Sequence, residues 1–326
     1  MKKSLKISLI SLSCASVLAL SACAATPSVS IAPNWYNNTV LTSSISQTYE
    51  KLTYAVKYEK GTNENYSVEY GDGVYTVELK NTTFNDESVY VLTSELQISG
   101  KYTMGSQTLE FTDSVQSTCY FRNAKEQLYP LKSVKTVKST TPYAKDAQSL
   151  EQVVKTYEYV TEVVYDPDEN TAVATYTDLK DESKNSQKEY SLQDNLTVLD
   201  NESLLFAVRG VSLNANATEC AYVLNPYAAA QETVNITLQS QTKDAKYTFK
   251  NVDNGDASAK EYTLDVNTLS INRKATMAGK TVTAVYAAPV ANNNTYRCVM
   301  LKMENPLSYQ MGKLVYTLTE ADFTDK

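Results

Sequence analysis

The dominant pattern along the chain is an alternation of apolar and polar residues with a period of two. Leu52, Tyr54, Val56 and Tyr58 occupy every second position, and residues 75–79 repeat the pattern. Because successive side chains of a strand point to opposite faces, the alternation predicts strands with one apolar and one polar face. The same pattern returns around residues 89–98, 157–165, 234–238, 247–249 and 314–318.

Turn-forming residues separate these predicted strands. Clusters of Gly, Asp, Asn and Pro lie at residues 71–73, 166–170, 253–256 and 292–294. Short turns of this kind join antiparallel strands. The 25 tyrosines also favour pleated, half-buried surfaces. The sequence therefore predicts a mainly β, antiparallel fold.

One segment, residues 200–210, has the pattern of a short helix instead. Asp200 suits the N-cap position, Leu204, Leu205 and Val208 form an apolar stripe, and Gly210 suits the position after the last turn. The side chain of Arg209 would lie near the negative end of the helix dipole. We expect this helix to brace or plug one end of the sheet, and Arg209 is a candidate contact for an anionic group inside a cavity.

The N-terminal segment resembles the signal of a bacterial lipoprotein. Three lysines precede an apolar stretch of about 14 residues, which is too short to span a bilayer. The stretch ends in Leu-Ser-Ala-Cys at residues 20–23, a lipobox. We predict removal of residues 1–22, lipid attachment at Cys23 and a polar tether over residues 23–34. The lipidated protein would face outward from the cell membrane, or lie in an outer membrane if the host has one.

The rest of the chain, residues 35–326, is predicted to be a single large antiparallel β domain. Its length of nearly 300 residues suits one large β domain or two small ones. No internal repeat and no clear linker divide it. The polar stretch at residues 142–149 is the best candidate for an internal break.

Composition excludes several functions. The predicted signal contains three of the 30 basic residues and none of the 37 acids, so the mature chain carries a net charge of about −10. Such a surface repels phosphate backbones, and we expect no nucleic-acid partner. The chain has no histidine, which excludes Ser-His and Cys-His catalysis and His-ligated zinc. We expect neither a cofactor nor an enzymatic activity.

Three cysteines remain in the mature chain besides Cys23, namely Cys119, Cys220 and Cys298. Their spacing contains no CxxC motif for metal or redox chemistry. A disulfide between two of them is compatible with an extracytoplasmic location. Three separate, buried thiols are the alternative.

Short motifs that suggest chemistry lack their required partners. Ser240 and Lys243 have the S-x-x-K spacing of serine–lysine nucleophiles, but the partner motifs are missing and we expect a hairpin turn there. Asp166, Asp168 and Asn170 have calcium-loop spacing without the Gly and Glu that such a loop needs, which favours a plain turn.

Three further stretches resemble the DUF3108 family of exported bacterial proteins, whose function is undefined. The helix segment carries the family's D-x-x-S-x-x-x-x-x-R pattern at Asp200, Ser203 and Arg209. The other two stretches resemble its proline-marked strand pair and its closing hairpin; they comprise residues 113–117, Tyr120 and 128–133, and residues 300–303 and 312–318. The resemblance implies a curved antiparallel sheet or open β-barrel and carries no catalytic residues.

These observations favour a non-enzymatic module that is anchored to a membrane and binds an apolar or amphipathic ligand on the concave face of the sheet. The alternative is a structural or interaction protein of the cell envelope with no small-molecule ligand.

Overall fold

The structure of the chain is a computed structural model, and it describes residues 49–63, 65–124, 127–143, 149–192, 198–210, 218–227, 230–253, 255–273, 281–288 and 298–323. The predicted signal peptide, Cys23 and the tether lie outside these residues. Within the described ranges, no helix is long and apolar enough to cross a membrane.

Strands make up most of the described chain. The first eight are β1 (Tyr49–Lys60), β2 (Ser67–Tyr70), β3 (Gly73–Phe84), β4 (Glu87–Met104), β5 (Gln107–Ala124), β6 (Gln127–Pro142), β7 (Val154–Asp166) and β8 (Thr171–Asp178). The others are β9 (Ser186–Ser191), β10 (Val198–Asp200), β11 (Thr218–Asn225), β12 (Ala230–Asn251), β13 (Lys260–Arg273), β14 (Thr281–Ala287), β15 (Met300–Pro306) and β16 (Gly312–Asp322).

Helical structure is limited to short pieces in the described residues. Helix α1 spans Leu150–Val153 and helix α2 spans Leu204–Ala207. Three 3₁₀ turns are found at Glu182–Lys184, Val208–Gly210 and Ser308–Gln310.

All the described strands belong to one sheet, in the order β10-β11-β12-β13-β14-β15-β16-β1-β3-β4-β5-β6-β7-β8-β9, with β2 added against β4. The alternation that predicts the strands also decides which face is buried. In β1, for example, Leu52, Tyr54 and Val56 are buried on one face. These apolar faces share one large core. The prediction of a mainly β fold with a largely antiparallel sheet is confirmed.

The sheet curls until distant strands touch. The far end of β12 pairs in parallel with β16 at Lys250↔Glu320 and Asn251↔Ala321. Because β12 also starts the run β12-β13-β14-β15-β16, this pairing joins these five strands into a ring at one end. The curved, barrel-like form that the family resemblance implies is therefore present, with a parallel contact that the alternation pattern does not predict.

The two ends of the strand order meet differently. No backbone pairing joins β9 to β10 in the described part of the chain. Side chains bridge this border instead. Gln231 Nε2 on β12 donates to the Ser191 carbonyl on β9 at 3.1 Å. Ser133 and Tyr165, on β6 and β7, donate to the Asp200 carboxylate on β10. We refer to this side-chain border as the seam.

The predicted helix at 200–210 is present but shorter. Asp200 ends β10, which pairs in parallel with β11 at Asp200↔Leu224. A turn over residues 201–203 follows, and Ser203 rather than Asp200 occupies the N-cap position of α2. The prediction that Asp200 caps the helix is wrong, because the parallel pairing holds Asp200 in a strand and its carboxylate bonds to β6 and β7.

The polar stretch at 142–149 connects two neighbouring strands. β6 and β7 pair antiparallel from Lys132↔Val164 to Pro142↔Val154. Residues 144–148 lie outside the described residues, and α1 follows them. Leu150 and Val153 of α1 are buried and pack in a second cluster with Tyr66, Tyr102 and Phe111. The strands on both sides of this stretch thus belong to one continuous sheet.

Candidate functional site

A cavity of about 830 Å³ lies inside the curled sheet. Its walls come from side chains of β1, β3–β7, β11 and β13–β16, from α2 and the turns next to it, and from the segments that follow β11 and β15. The position follows from the fold, because alternate residues of a curved sheet all point to the concave side. A volume of this size is in the range of roughly 300–1,000 Å³ that is common for small-molecule sites.

One wall of the cavity is apolar. It is formed by Ile271 on β13, Val282 on β14, and Met300 and Met303 on β15. Leu205 of α2 also faces this space, while the Tyr286 hydroxyl on β14 donates to the Leu205 carbonyl at 2.9 Å. This bond fixes the helix against the wall. Methionine side chains adapt to differently shaped apolar partners.

Aromatic rings line the middle of the sheet. Tyr75 on β3 lies 5.7 Å from Tyr54 and 5.5 Å from Tyr316, measured between ring centroids. Burial raises the pKa of Tyr75 to about 12, so its hydroxyl stays protonated at neutral pH. The rings therefore present an uncharged surface to the cavity.

The cavity reaches the protein surface beside Tyr227. This side chain lines the cavity and is also 53% exposed. Its ring centroid lies 5.2 Å from that of Tyr159 and 6.2 Å from that of Tyr176. The three rings form an aromatic rim where a ligand could enter.

The opposite wall is polar. Lys135 on β6 and Glu202 in the turn after β10 form an ion pair, with Nζ 3.2 Å from Oε1 and 3.1 Å from Oε2. Asn201 donates its side-chain amide to Glu202 Oε1, and Thr161 on β7 lines the same wall. The Lys135 and Glu202 side chains are 25% and 10% exposed, so a ligand could reach them.

Asp200 lies beneath the polar wall and fixes the position of Glu202 through hydrogen bonds. Its Oδ2 accepts from Ser133 Oγ and from Tyr165 Oη, both at 2.6 Å, and its Oδ1 accepts from the Glu202 backbone N–H at 2.7 Å. Asp200 is completely buried. Burial, helped by repulsion from Glu202, raises the pKa of Asp200 to about 6.

Arg209, the candidate ligand contact, lines the cavity but already has an anionic partner. Its Nη1 and Nη2 donate to the two carboxylate oxygens of Glu50 on β1, at 3.0 and 2.7 Å. The guanidinium also lies 4.8 Å from the ring centroid of Phe206. Both charged side chains are almost fully buried. The anionic partner of Arg209 in the structure is therefore a carboxylate of the chain itself.

The cysteines are separate. Cys119, Cys220 and Cys298 are free thiols, which excludes a disulfide among them in this structure. Cys220 donates to Asn235 Oδ1 at 3.0 Å, while the other two are buried. In the described residues, no group of three or more Cys, Asp or Glu side chains could hold a metal ion.

Neither the S-x-x-K motif nor the calcium-like spacing forms a catalytic or metal site in the described residues. Ser240 and Lys243 lie exposed along β12, next to a register shift between Thr242 and Ala245. The expected hairpin turn there is wrong, because β12 continues past this bulge. Asp166 does lie in a plain turn between β7 and β8, where its Oδ1 accepts from the backbone of Asp168 and Glu169.

A second concavity of about 890 Å³ is lined by charged and polar groups such as Lys101, Glu69 and Glu158. Lys101 and Glu69 form an ion pair at 2.9 Å with side chains 48% and 67% exposed. Because this surface is open to solvent, we take the interior cavity as the candidate site.

No family model matches the sequence, and no curated protein matches it. Among solved structures, the fold is similar to that of a β-barrel-like protein of the domain-of-unknown-function family DUF1849 from Brucella abortus. The TM-score is 0.52 at 10% sequence identity, over 86% of this chain and 100% of that chain. At this identity the likeness concerns the fold alone. The resemblance to the DUF3108 family stays a prediction.

Proposed function

We propose that the protein is a membrane-anchored, extracytoplasmic module that binds an apolar or amphipathic small molecule in the interior cavity. The cavity itself supports this proposal best, because a volume of about 830 Å³ inside a β-barrel-like sheet has an apolar wall and an aromatic rim. An apolar ligand that fills such a space leaves water, which is favourable in proportion to the apolar area buried.

The predicted lipid anchor supports the same function. Two acyl chains on Cys23 would hold the fold at a membrane surface, since stable anchoring needs more than one chain. Membranes are also the compartment in which apolar and amphipathic molecules are concentrated. The anchor would therefore bring the cavity close to its ligand.

Binding of the neutral fluorophore N-phenyl-1-naphthylamine tests the proposal. We would use the mature chain from residue 23 with Cys23→Ser, which carries no lipid and keeps all the described strands from Tyr49 to Asp322. Saturable binding with one site per chain is the expected result. Absence of binding would contradict the proposal and favour a structural module.

A matched pair of tryptophan variants locates the site. Val115 on β5 lines the cavity, whereas the next residue, Gln116, is exposed on the other face. We expect Val115→Trp to weaken fluorophore binding by about tenfold or more, because the indole fills the cavity, and Gln116→Trp to leave it unchanged. Circular dichroism would confirm that both variants fold, and Leu96→Trp, from the lining of β4, serves as a second test. Equal affinity for all these variants would place the fluorophore elsewhere.

A further inference from the structure

The ion pair of Lys135 and Glu202 lies on one wall of the cavity, whereas a second cation, Arg209, lines it next to β1. The residues that line it from β13, β14 and β15, such as Ile271, Val282 and Met303, are uncharged. Lys135 and Glu202 lie on the side of β6 and β10. In the strand order, β16, β1, β3, β4 and β5 separate β15 from β6, so the curl places the apolar and charged regions across the cavity from each other. A ligand that spans the cavity would thus meet apolar groups at one end and polar groups at the other.

Among the described residues, the charged side chains that line the cavity leave no free cation. Lys135 contacts both carboxylate oxygens of Glu202, and Arg209 contacts both carboxylate oxygens of Glu50. Asp200 adds a further carboxylate directly behind Glu202. The group of Lys135, Glu202 and Asp200 therefore has an excess negative charge when Asp200 is ionised. An anionic head group would have to compete with Glu202 for Lys135 in a partly buried place, where charge repulsion is stronger than in water.

The polar wall offers hydrogen bonds of both kinds. The Lys135 ammonium donates, the Glu202 carboxylate accepts, and the Asn201 amide and the Thr161 hydroxyl can do both. Hydroxyl groups of a ligand, which donate and accept, match this set. A carboxylate or phosphate, which only accepts, would leave the Glu202 oxygens facing another acceptor.

We infer that the ligand is an amphiphile with an apolar tail and an uncharged, hydroxyl-bearing head, and this inference rests on the proposed function. The tail lies against β13, β14 and β15, and the head contacts Lys135, Asn201 and Glu202. Arg209 then acts by holding α2 against β1 rather than by binding the head group.

Displacement of N-phenyl-1-naphthylamine by two amphiphiles with the same tail tests the head group. Monolauroylglycerol has an uncharged diol head, and laurate has an anionic one. Both would be titrated below their micellar concentrations at pH 8, where laurate and Asp200 are ionised. From the displacement curves, we expect a dissociation constant for monolauroylglycerol that is about tenfold lower than that for laurate.

Two charge variants connect this preference to the polar wall. Glu202→Gln removes a negative charge, so we expect the affinity for laurate, relative to that for monolauroylglycerol, to rise by about tenfold. Glu95→Gln is the matched control, since Glu95 is exposed on β4 and contacts Gln116. If Glu202→Gln fails to fold, Lys135→Gln provides the reverse test, because it should weaken laurate binding further.

The outcomes separate the two proposals. Equal or tighter binding of laurate by the unmodified protein would overturn the head-group inference and leave the ligand-binding function intact. Fluorophore binding without displacement by either amphiphile would also overturn the inference. Failure of the fluorophore to bind at all would overturn the proposed function as well.

Discussion

Arg209 and Glu50 form an ion pair although they are 159 positions apart in the chain. Their side chains are only 4% and 3% exposed. Removal of one partner leaves a buried charge without compensation, which costs about 3–5 kcal/mol. We expect Arg209→Met to lower the free energy of unfolding by this amount in urea titrations. The double variant Glu50→Met/Arg209→Met should lose less than either single variant.

An exposed ion pair provides the control for this prediction. Lys246 and Glu261 lie 2.8 Å apart with side chains 65% and 56% exposed. Such pairs contribute about 0–1 kcal/mol, so Lys246→Met should change stability little. Equal losses in the free energy of unfolding for Lys246→Met and Arg209→Met would show that the buried Arg209 pair stabilises the fold no more than an exposed pair does.

Asp200 should give the protein a pH dependence of a definite sign. Its folded pKa of about 6 lies above the usual value near 3.9, so the folded state binds the proton more tightly than the unfolded state does. The protonated Asp200 side chain therefore contributes to the free energy of unfolding at low pH. This contribution is lost as the pH rises from about 4 to about 6. We expect Asp200→Asn to become more stable relative to the unmodified protein over this window, by roughly 2–3 kcal/mol. Urea titrations at several pH values measure the difference, and a constant difference would contradict the prediction.

Cys23 can be tested by labelling. Cys23→Ala in the full chain should abolish incorporation of radiolabelled palmitate, because the thiol that is predicted to accept the lipid is missing. Cys14→Ala is the matched control, since Cys14 lies in the segment that is predicted to be removed. Labelling of the Cys23→Ala protein would rule out this attachment site.

The sequence pattern points to Arg209 but not to its partner. Glu50 follows no motif, and only the pairing of β1 with its neighbours brings it near α2. Lys135 did carry a signal, because it shares the inward alternation of β6 with Ser133 and Val137, where an apolar residue is the usual choice. A lysine in the inward register of a strand is the kind of exception that marks a candidate site.

At the scale of elements, the end of β1 packs tightly against the connection between β15 and β16. The Gly61 N–H donates to the Met311 carbonyl at 3.2 Å, and a Cβ on Gly61 would lie 2.0 Å from the Gln310 carbonyl oxygen. Because backbone atoms on both sides would have to move, we expect Gly61→Ala to cost about 2–3 kcal/mol in urea unfolding.

Gly105 is the matched control for this position. It lies in the turn between β4 and β5 with φ of 58°, and nothing lies within 4 Å of its added Cβ. Gly105→Ala should therefore lower the free energy of unfolding by only about 1 kcal/mol, the cost of placing an alanine in the left-handed backbone region. A cost for Gly61→Ala no greater than that for Gly105→Ala would contradict the close packing.

The elements differ in how well the sequence predicts them. Strands follow directly from alternation, as in β1 and β3, because pairing and burial reinforce the same period. The helix at 200–210 begins later than predicted, since the local capping pattern competes with the parallel pairing of β10 to β11. Helix α1 lies next to a polar stretch and has only four residues, too few for a periodic signal.

At the scale of the whole molecule, closure of the sheet is the feature that is least evident from the sequence. The contact of β12 with β16 joins residues about 70 positions apart in parallel, and neither strand carries a local signal for it. The cavity lies between strands from distant parts of the strand order, β4–β7 and β13–β15, which face each other because the sheet curls. Its apolar lining was therefore predictable as a face, whereas its volume and the pairing of Lys135 with Glu202 were not.

The seam suggests a prediction about the rate of binding. Tyr165→Phe removes one of the bonds to Asp200 that bridge the seam. We expect N-phenyl-1-naphthylamine to associate faster with this variant in stopped-flow measurements, with a nearly unchanged equilibrium affinity. Tyr190→Phe on β9 is the control, because the Tyr190 hydroxyl is buried without a hydrogen-bond partner among the described residues. An unchanged association rate for Tyr165→Phe would mean that entry does not involve the seam.

A barrel closed by a complete backbone ladder can open only by breaking many hydrogen bonds together, whereas a few side-chain bonds can break one at a time. The seam would then control access to the cavity. Its opening and closing would set an upper limit on the rate at which molecules exchange between the cavity and a membrane, independent of how tightly they bind. A protein of this design could retain a weakly bound molecule for a long time.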